Sequence, residues 1–257
     1  MMLARRQALL ATAGLLLAPR AHAAGVSINV MTSGGFTAPY LVLGPRFEAE
    51  TGHRLATARG ASMGDAPDAI PQRLGRGEAA DVVILARGAL DALVRAGNVR
   101  PGSEVDLAHS PIAMAVRVGT PHPPITTVAE FREAMLNARS IAYSASASGV
   151  YLSTELFQRL GIAEQVAPRA RRILSERVGS VVARGEAEIG FQQLSELLPI
   201  PGIEILGPLP GPIQRVTIFS AGIATRAQQP EAAAALIRYL AAPVAHPVLR
   251  QAGLDPA

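Results

Sequence analysis

The sequence contains no cysteine and no tryptophan, and a read along its 257 residues finds no lysine either. Without cysteine there is no disulfide framework and no thiolate-bound metal. Without lysine all 24 basic residues are arginine, so no lysine Schiff base can form and ordinary pyridoxal-phosphate chemistry is excluded. Aromatic residues make up only 4%, too few for base-stacking platforms. Charged residues are also sparse, 17% against 49% hydrophobic, the reverse of a disordered chain. The formal charge of +4 is concentrated at one end: Arg5, Arg6 and Arg20 precede residue 24 and no acid does, leaving 21 arginines against 20 acids. A body so balanced has no basic field for nucleic acid.

The first segment that is informative reads as an export signal. Met1–Arg6 is a short positive start, Ala8–Ala18 an apolar run too short to span a bilayer, and Ala21-His22-Ala23 a small-residue cleavage site. Residues 1–23 are therefore expected to be a signal peptide cleaved near Ala23/Ala24, and Arg5-Arg6 opens a twin-arginine route beside the general one. No later stretch reaches the ~20 uncharged apolar residues of a membrane span. The mature chain is expected in the periplasm, as a monomer, without membrane insertion.

The mature chain alternates short β-rich runs with helical ones. Val26–Met31, His53–Ala58, Asp81–Leu85, Pro111–Val118 and Ser140–Tyr143 read as strands; Thr37–Thr51, Ala89–Ala96, Thr126–Ala138 and Gly149–Leu160 as helices. Briefer runs follow at 178–184, 188–191 and 203–206, then a proline-rich connection from Pro199 to Pro212, an extended run at Val216–Ile223 and helices at Pro230–Leu240 and Val244–Gln251. This order predicts a mostly parallel α/β architecture covered on both faces. A single doubly wound sheet and two lobes remain open, the chain in the latter leaving the first lobe near 111 and returning near 220.

One local theme occurs twice. Thr32-Ser33-Gly34-Gly35-Phe36 follows the first strand and precedes a helix, and Ser144-Ala145-Ser146-Ala147-Ser148-Gly149 repeats the pattern. Small residues, hydroxyls and unpaired N–H groups at a helix start favour an anion, and ligands of open α/β sheets bind beyond the strand ends where these loops lie. Ser and Gly before a helix also serve as plain caps, so it is the matched pair that points to a ligand. Arg59-Gly60-Ala61-Ser62-Met63-Gly64-Asp65 adds a third loop with a hydroxyl and an arginine suited to a carboxylate. Other templates fail: there is no G-x-S-x-G and no H-E-x-x-H, and the five histidines never fall at metal spacing. No cofactor or metal is expected. The run Arg169, Arg171, Arg172 reads as a solvated surface turn.

These loops, together with Gly75-Arg76-Gly77-Glu78-Ala79-Ala80-Asp81-Val82-Val83-Ile84 and Arg184-Gly185-Glu186-Ala187-Glu188-Ile189-Gly190, resemble the molybdate-binding-like periplasmic solute-binding proteins of type 2. The resemblance covers the whole mature chain. It implies two α/β lobes, 24–112 with 218–257 and 113–217, joined by strands crossing near Pro111–Arg117 and Val216–Ala221 and closing on a ligand. It also implies a small anionic ligand and an inner-membrane ABC permease as partners. The family's ligand positions would fall on Ser33, Ser62, the Ala147 and Ser148 backbone, the Val178 backbone and a late side chain near Gln193. The sequence departs at the last, where a glutamine pair, Gln192-Gln193, stands in place of the molybdate binders' tyrosine. Gly34-Gly35 stand where hydroxyls are usual, and Arg59 and Met63 flank Ser62. An arginine and an amide pair suit a carboxylate-bearing acid.

Gly60–Pro71 and Ile189–Pro199 resemble more closely the organic-acid branch that includes aconitate isomerase. That implies an alternative activity, a proton shift next to a carboxylate, which needs a base and donors for the developing charge. Asp65, His109, Tyr143, Tyr151 and Glu196 are the candidates. Tyr151 also stands in the first turn of a helix, where it would line the cleft. Asp65 and Asp68 also read as helix caps, His109 as a hinge residue and Glu196 as a solvated helix residue.

Overall fold

The computed structural model describes residues 25–257, so the expected signal peptide and its cleavage site lie outside the described residues. The chain forms two mixed sheets, each flanked by helices. The first holds β1 (Ser27–Ser33), β2 (Arg54–Gly60), β3 (Val82–Ala86), β4 (Val105–Ser110), β10 (Thr217–Ile223) and β11 (Asp255–Pro256), in the order β11-β4-β10-β3-β1-β2. The second holds β5 (Ile112–Arg117), β6 (Ile141–Ser144), β7 (Ala170–Ile173), β8 (Ile189–Gln193) and β9 (Ile203–Pro208), in the order β7-β6-β8-β5-β9. This is the two-lobe fold of type 2 periplasmic binding proteins, not a single doubly wound sheet.

Neither sheet is all parallel. β1 pairs in parallel with β2 and β3, and β6 with β7 and β8. β10 runs antiparallel between β3 and β4, and β5 antiparallel between β8 and β9. The antiparallel strands are those next to the crossings, because a chain that leaves one lobe and later returns must reverse direction through each sheet. The chain passes from the first sheet to the second across Pro111 alone and returns through 209–216. Gln214 ties the two passages together: its Oε1 accepts from the Ile112 N–H at 3.1 Å and its Nε2 donates to the Ile112 carbonyl at 2.9 Å.

Each lobe has its own core. Ile28, Val30, Val82 and Ile84 pack under α1 (Gly34–Thr51) and α10 (Pro230–Ala241) through Phe36, Leu43, Phe47 and Leu236. Met31, Val83 and Leu85 face the opposite side, toward α3 (Arg87–Arg95). In the second lobe Met114, Val116, Ile141, Ile189 and Phe191 pack against α4 (Val128–Asn137) and the helical run from Ala147. Strands buried on both faces carry apolar residues at successive positions, which is why they were legible as unbroken runs.

Several local expectations shift. α1 starts at Gly34, not Thr37, directly after β1, so the expected Ser/Gly loop is the first turn of the helix. α5 (Ala147–Tyr151) likewise starts within its expected loop and continues through a π turn, Leu152–Leu156, into α6 (Phe157–Arg159). Residues 169–172 are not a free turn: Ala170–Ile173 is an edge strand, with Arg172 on Asp65 at 2.8 Å and Arg169 on the carbonyls of Leu136 and Ala138. The strand β4 was not anticipated, its sequence Val-Asp-Leu-Ala-His-Ser being half polar. Short helices α2 (Ile70–Gly75), α7 (Ala163–Val166), α8 (Val178–Ala183), α9 (Leu194–Leu197) and α11 (His246–Gln251) complete the lobes. Among the described residues no single helix is long and apolar enough to cross a membrane.

Candidate functional site

A cavity of about 220 Å³ lies between the lobes. From the first lobe it is walled by Gly34, Gly35 and Thr37 at the start of α1, by Arg59 and Gly60 ending β2, and by Ser62 and Asp68. From the second come Ser144–Ser148, Ile173–Arg177, Gln192, Gln193 and Glu196. Both matched loops thus face one space. The first-turn N–H groups of α1 have no partners within the helix, and the same holds at the start of the Ala147–Arg159 helical run, so the two helix starts offer donors to one anion.

Ser62 carries its hydroxyl in a fixed place. The Ala86 N–H donates to it at 3.0 Å, which leaves the hydroxyl hydrogen for a ligand. The Ser62 N–H is used across the lobes, donating to Ser146 Oγ at 3.2 Å. Ser144 and Ser148 share a hydrogen bond of 3.0 Å. Ser33, the residue before α1, lies outside the lining, yet its buried hydroxyl has no partner. Buried polar atoms in that condition are uncommon. Gln193 Oε1 is a second such atom, on a residue that does line the cavity; its Nε2 donates to Thr217 Oγ1 at 2.8 Å.

Two arginines give the cleft its positive charge. Arg59 was expected; Arg177, just before α8, was not. Among the described residues neither has a carboxylate within 4.0 Å, whereas Arg184, Arg172 and Arg87 all do. Glu176, also in the lining, is exposed and held by Arg184 at 2.9 Å.

Besides Asp68 and Glu176, the cleft holds a third acid, Glu196, on the first turn of α9. Gln192 Nε2 donates to its Oε1 at 2.9 Å, and Gln192 Oε1 accepts from the Val178 N–H at 2.9 Å. Opposite stands Gly34, where a Cβ would lie 2.0 Å from Glu196 Oε1. Burial raises the Glu196 pKa to about 7, against the pull of Arg177, Gln192 and the Gln193 backbone.

Besides Ser33, five residues expected to touch a ligand have other work or another place. Met63 and Tyr151 line a separate groove beside the return passage. The Tyr151 hydroxyl donates to the Ile213 carbonyl at 2.8 Å and Arg215 stacks 4.4 Å from its ring centre, so Tyr151 braces the hinge. The Val178 N–H and both amide atoms of Gln192 are spent on each other and on Glu196. Gly149 lies outside the lining; its role is a close approach, since a Cβ there would meet the Ser144 carbonyl oxygen at 1.7 Å. Of the other candidate bases, Asp65 is paired with Arg172, Tyr143 packs beside the second-lobe core and His109 lies in β4. Neither Asp65 nor Asp68 caps a helix: α2 starts after Ala69 without a side-chain cap.

Comparison with known proteins agrees with this architecture. The chain matches the family model described as bacterial extracellular solute-binding protein over residues 28–255. It is 47% identical over 230 residues to an aconitate isomerase from a Pseudomonas species, covering 90% of this chain and 88% of that one. Among solved structures it is similar to the periplasmic molybdate-binding protein of Azotobacter vinelandii, with a TM-score of 0.71 and 21% identity over 88% of this chain and 98% of that one. The sulfate-binding protein SubI from Mycobacterium tuberculosis superposes with a TM-score of 0.68 at 18% identity, over 90% of this chain and 87% of that one. At such identities the solved structures speak to the fold alone.

Proposed function

Because the chain belongs to the bacterial extracellular solute-binding protein family, we propose that its cleft captures a small organic anion carrying two or three carboxylates. The lobes divide at Pro111 and within 209–216, one residue from the expected 24–112 with 218–257 and 113–217, and they close on the ligand about the Gln214-tied passages. As in solute-binding systems generally, the loaded protein would serve an ABC permease. Export by the twin-arginine or general route, with cleavage near Ala23/Ala24, and a monomeric state belong to the same proposal.

The observation that carries this reading is the pairing of two arginines that have no carboxylate partner with hydrogen-bond donors from both lobes. Arg59 and Arg177 stand in the lining without carboxylate partners, beside the helix starts and the Ser62 and Ser148 hydroxyls. Guanidinium groups match carboxylates in a planar fork. The near-neutral pKa of Glu196 keeps a second full negative charge out of the site at mildly acidic pH. Thermal unfolding with citrate, cis- and trans-aconitate, molybdate and sulfate tests the reading. Stabilisation by a polycarboxylate is expected, of about 2.7 kcal/mol at a hundredfold excess over Kd. Indifference to every carboxylate at millimolar concentration would sink it.

A second reading is favoured by the 47% identical aconitate isomerase and by an acid of near-neutral pKa inside the cleft. In it the bound polycarboxylate is cis- or trans-aconitate and the protein interconverts them by a proton shift. Proton NMR of cis-aconitate incubated with the purified protein decides: growth of the trans vinyl signal supports isomerisation, and binding without conversion leaves the carrier.

A further inference from the structure

Five of the residues lining the cleft carry titratable side chains: Arg59, Asp68, Glu176, Arg177 and Glu196. Glu176 is spent on Arg184, and Asp68 takes the Ser175 hydroxyl at 3.5 Å near the rim, next to the Asp65–Arg172 pair. Glu196 is placed differently. It enters from the second lobe and sets one carboxyl oxygen against the bare backbone of Gly34 on the first, where only the absence of a side chain leaves room. Gln192 holds that oxygen at 2.9 Å and is itself pinned by the Val178 N–H, so the carboxyl cannot swing freely.

We propose that Glu196 is the catalytic acid–base of this cleft, moving one proton between the two outer carbons of the three-carbon backbone of a bound polycarboxylate. The assignment rests on the isomerase reading above. In the forward step the methylene C–H of cis-aconitate breaks and its proton forms an O–H bond on Glu196. The electron pair spreads over the three-carbon unit and into an adjacent carboxylate. In the return step the Glu196 O–H breaks and a C–H bond forms at the former vinyl carbon, so the double bond has moved and no other reactant is consumed. Arg59, Arg177 and the helix-start N–H groups stabilise the charge that appears on the carboxylate. Gln192 and Gly34 act as positioning residues, one holding the carboxyl and the other making space for it. A carboxyl held near neutrality can both take and return a proton at pH 7. Arg177, before α8, is the charged group that acts on it; Arg59 at the end of β2, Glu176, and Asp68 before α2 share the cleft lining, and α1 presents Gly34 with no charge.

The test compares the full mature chain with Glu196→Gln, measuring cis-aconitate affinity by calorimetry and conversion by proton NMR. Glu196→Gln is expected to bind within about threefold of wild type while kcat falls by about 100-fold or more. The wild-type kcat should also show a limb near pH 7 that the variant's residual rate lacks. Conversion by Glu196→Gln within about threefold of wild type overturns the assignment and leaves the isomerase reading standing. Loss of binding in step with conversion also overturns it, making Glu196 a binding group. Should that variant fail to fold, Glu196→Asp serves: a lowered kcat with a displaced limb supports the role, and an unchanged kcat and limb refutes it. Wild type that binds cis-aconitate and converts none sinks the isomerase reading, and this assignment with it.

Discussion

Glu196 makes the stability of the protein depend on pH in a direction opposite to most acids. Its folded pKa, near 7, stands above the ordinary carboxyl value of 4.5, so the folded state holds the proton more tightly than the unfolded chain. The contribution is fully present below about pH 4.5 and is lost as pH rises through 7. The difference in unfolding temperature between wild type and Glu196→Gln should therefore drift against wild type between those values; a flat difference would contradict it. Gly34→Ala tests the space across from it. A Cβ there meets Glu196 Oε1 at 2.0 Å, so the variant should fold but lose at least about tenfold in ligand affinity, ~1.4 kcal/mol, by calorimetry. Glu196 could be named from sequence only as one of five candidate bases, because nothing in the chain order says which acid meets a glycine of the other lobe. Arg177 was missed for the same reason: it stands between Glu176 and Val178 in a run that reads as surface, and only closure of β7 and α8 onto the cleft turns it inward.

At the scale of elements, sequence patterning was most informative where a strand is buried on both faces. Asp81–Leu85 was read correctly as a strand, and the structure explains its leading acid. The buried Asp81 carboxylate accepts from the Asn29 N–H at 2.7 Å and from the Gln228 and Gln229 N–H groups at 2.7 and 2.8 Å. It staples β1 to the segment leading into α10. Asp81→Ala leaves three donors without this acceptor, so denaturant unfolding should show a loss of about 3 kcal/mol or more, with m unchanged. A loss under about 1 kcal/mol would contradict that role. The edges of elements were less legible. α1 and α5 start earlier than periodicity suggests because their opening residues, Gly34-Gly35 and Ala147-Ser148, are small residues that read as loop. β4 mixes three apolar with three polar residues in no regular alternation, and it was absorbed into the loop before Pro111. Tyr151, expected at the ligand, belongs to the hinge, since its hydroxyl reaches a carbonyl 62 positions away.

For the whole molecule, the chain passes between its two sheets at Pro111 and through 209–216; the pattern of elements left one sheet and two lobes open, and it was the resemblance to solute-binding proteins that pointed to two. What sequence could not show is how the lobes hold each other. Arg172 on the second meets Asp65 on the first at 2.8 Å, and Ser195 Oγ donates to the Gly35 carbonyl at 2.8 Å. The Arg172–Asp65 pair is exposed, 44% and 71%, so it contributes at most ~1 kcal/mol to folding. Its effect falls on closure instead. Arg172→Ala should unfold at nearly the wild-type temperature while releasing ligand up to about fivefold faster in stopped flow. An unchanged release rate would remove the pair from the closing machinery.

The central claim is that donors from both lobes, with Arg59 and Arg177, select a flexible polycarboxylate over a compact oxyanion. The most direct test is a calorimetric titration of the mature protein at pH 7 with cis-aconitate, trans-aconitate, citrate, molybdate and sulfate in parallel. The account predicts at least one tricarboxylate binding about tenfold or more tighter than either oxyanion, with that preference lost in Arg59→Ala and Arg177→Ala. Tighter binding of molybdate or sulfate than of every carboxylate would contradict it.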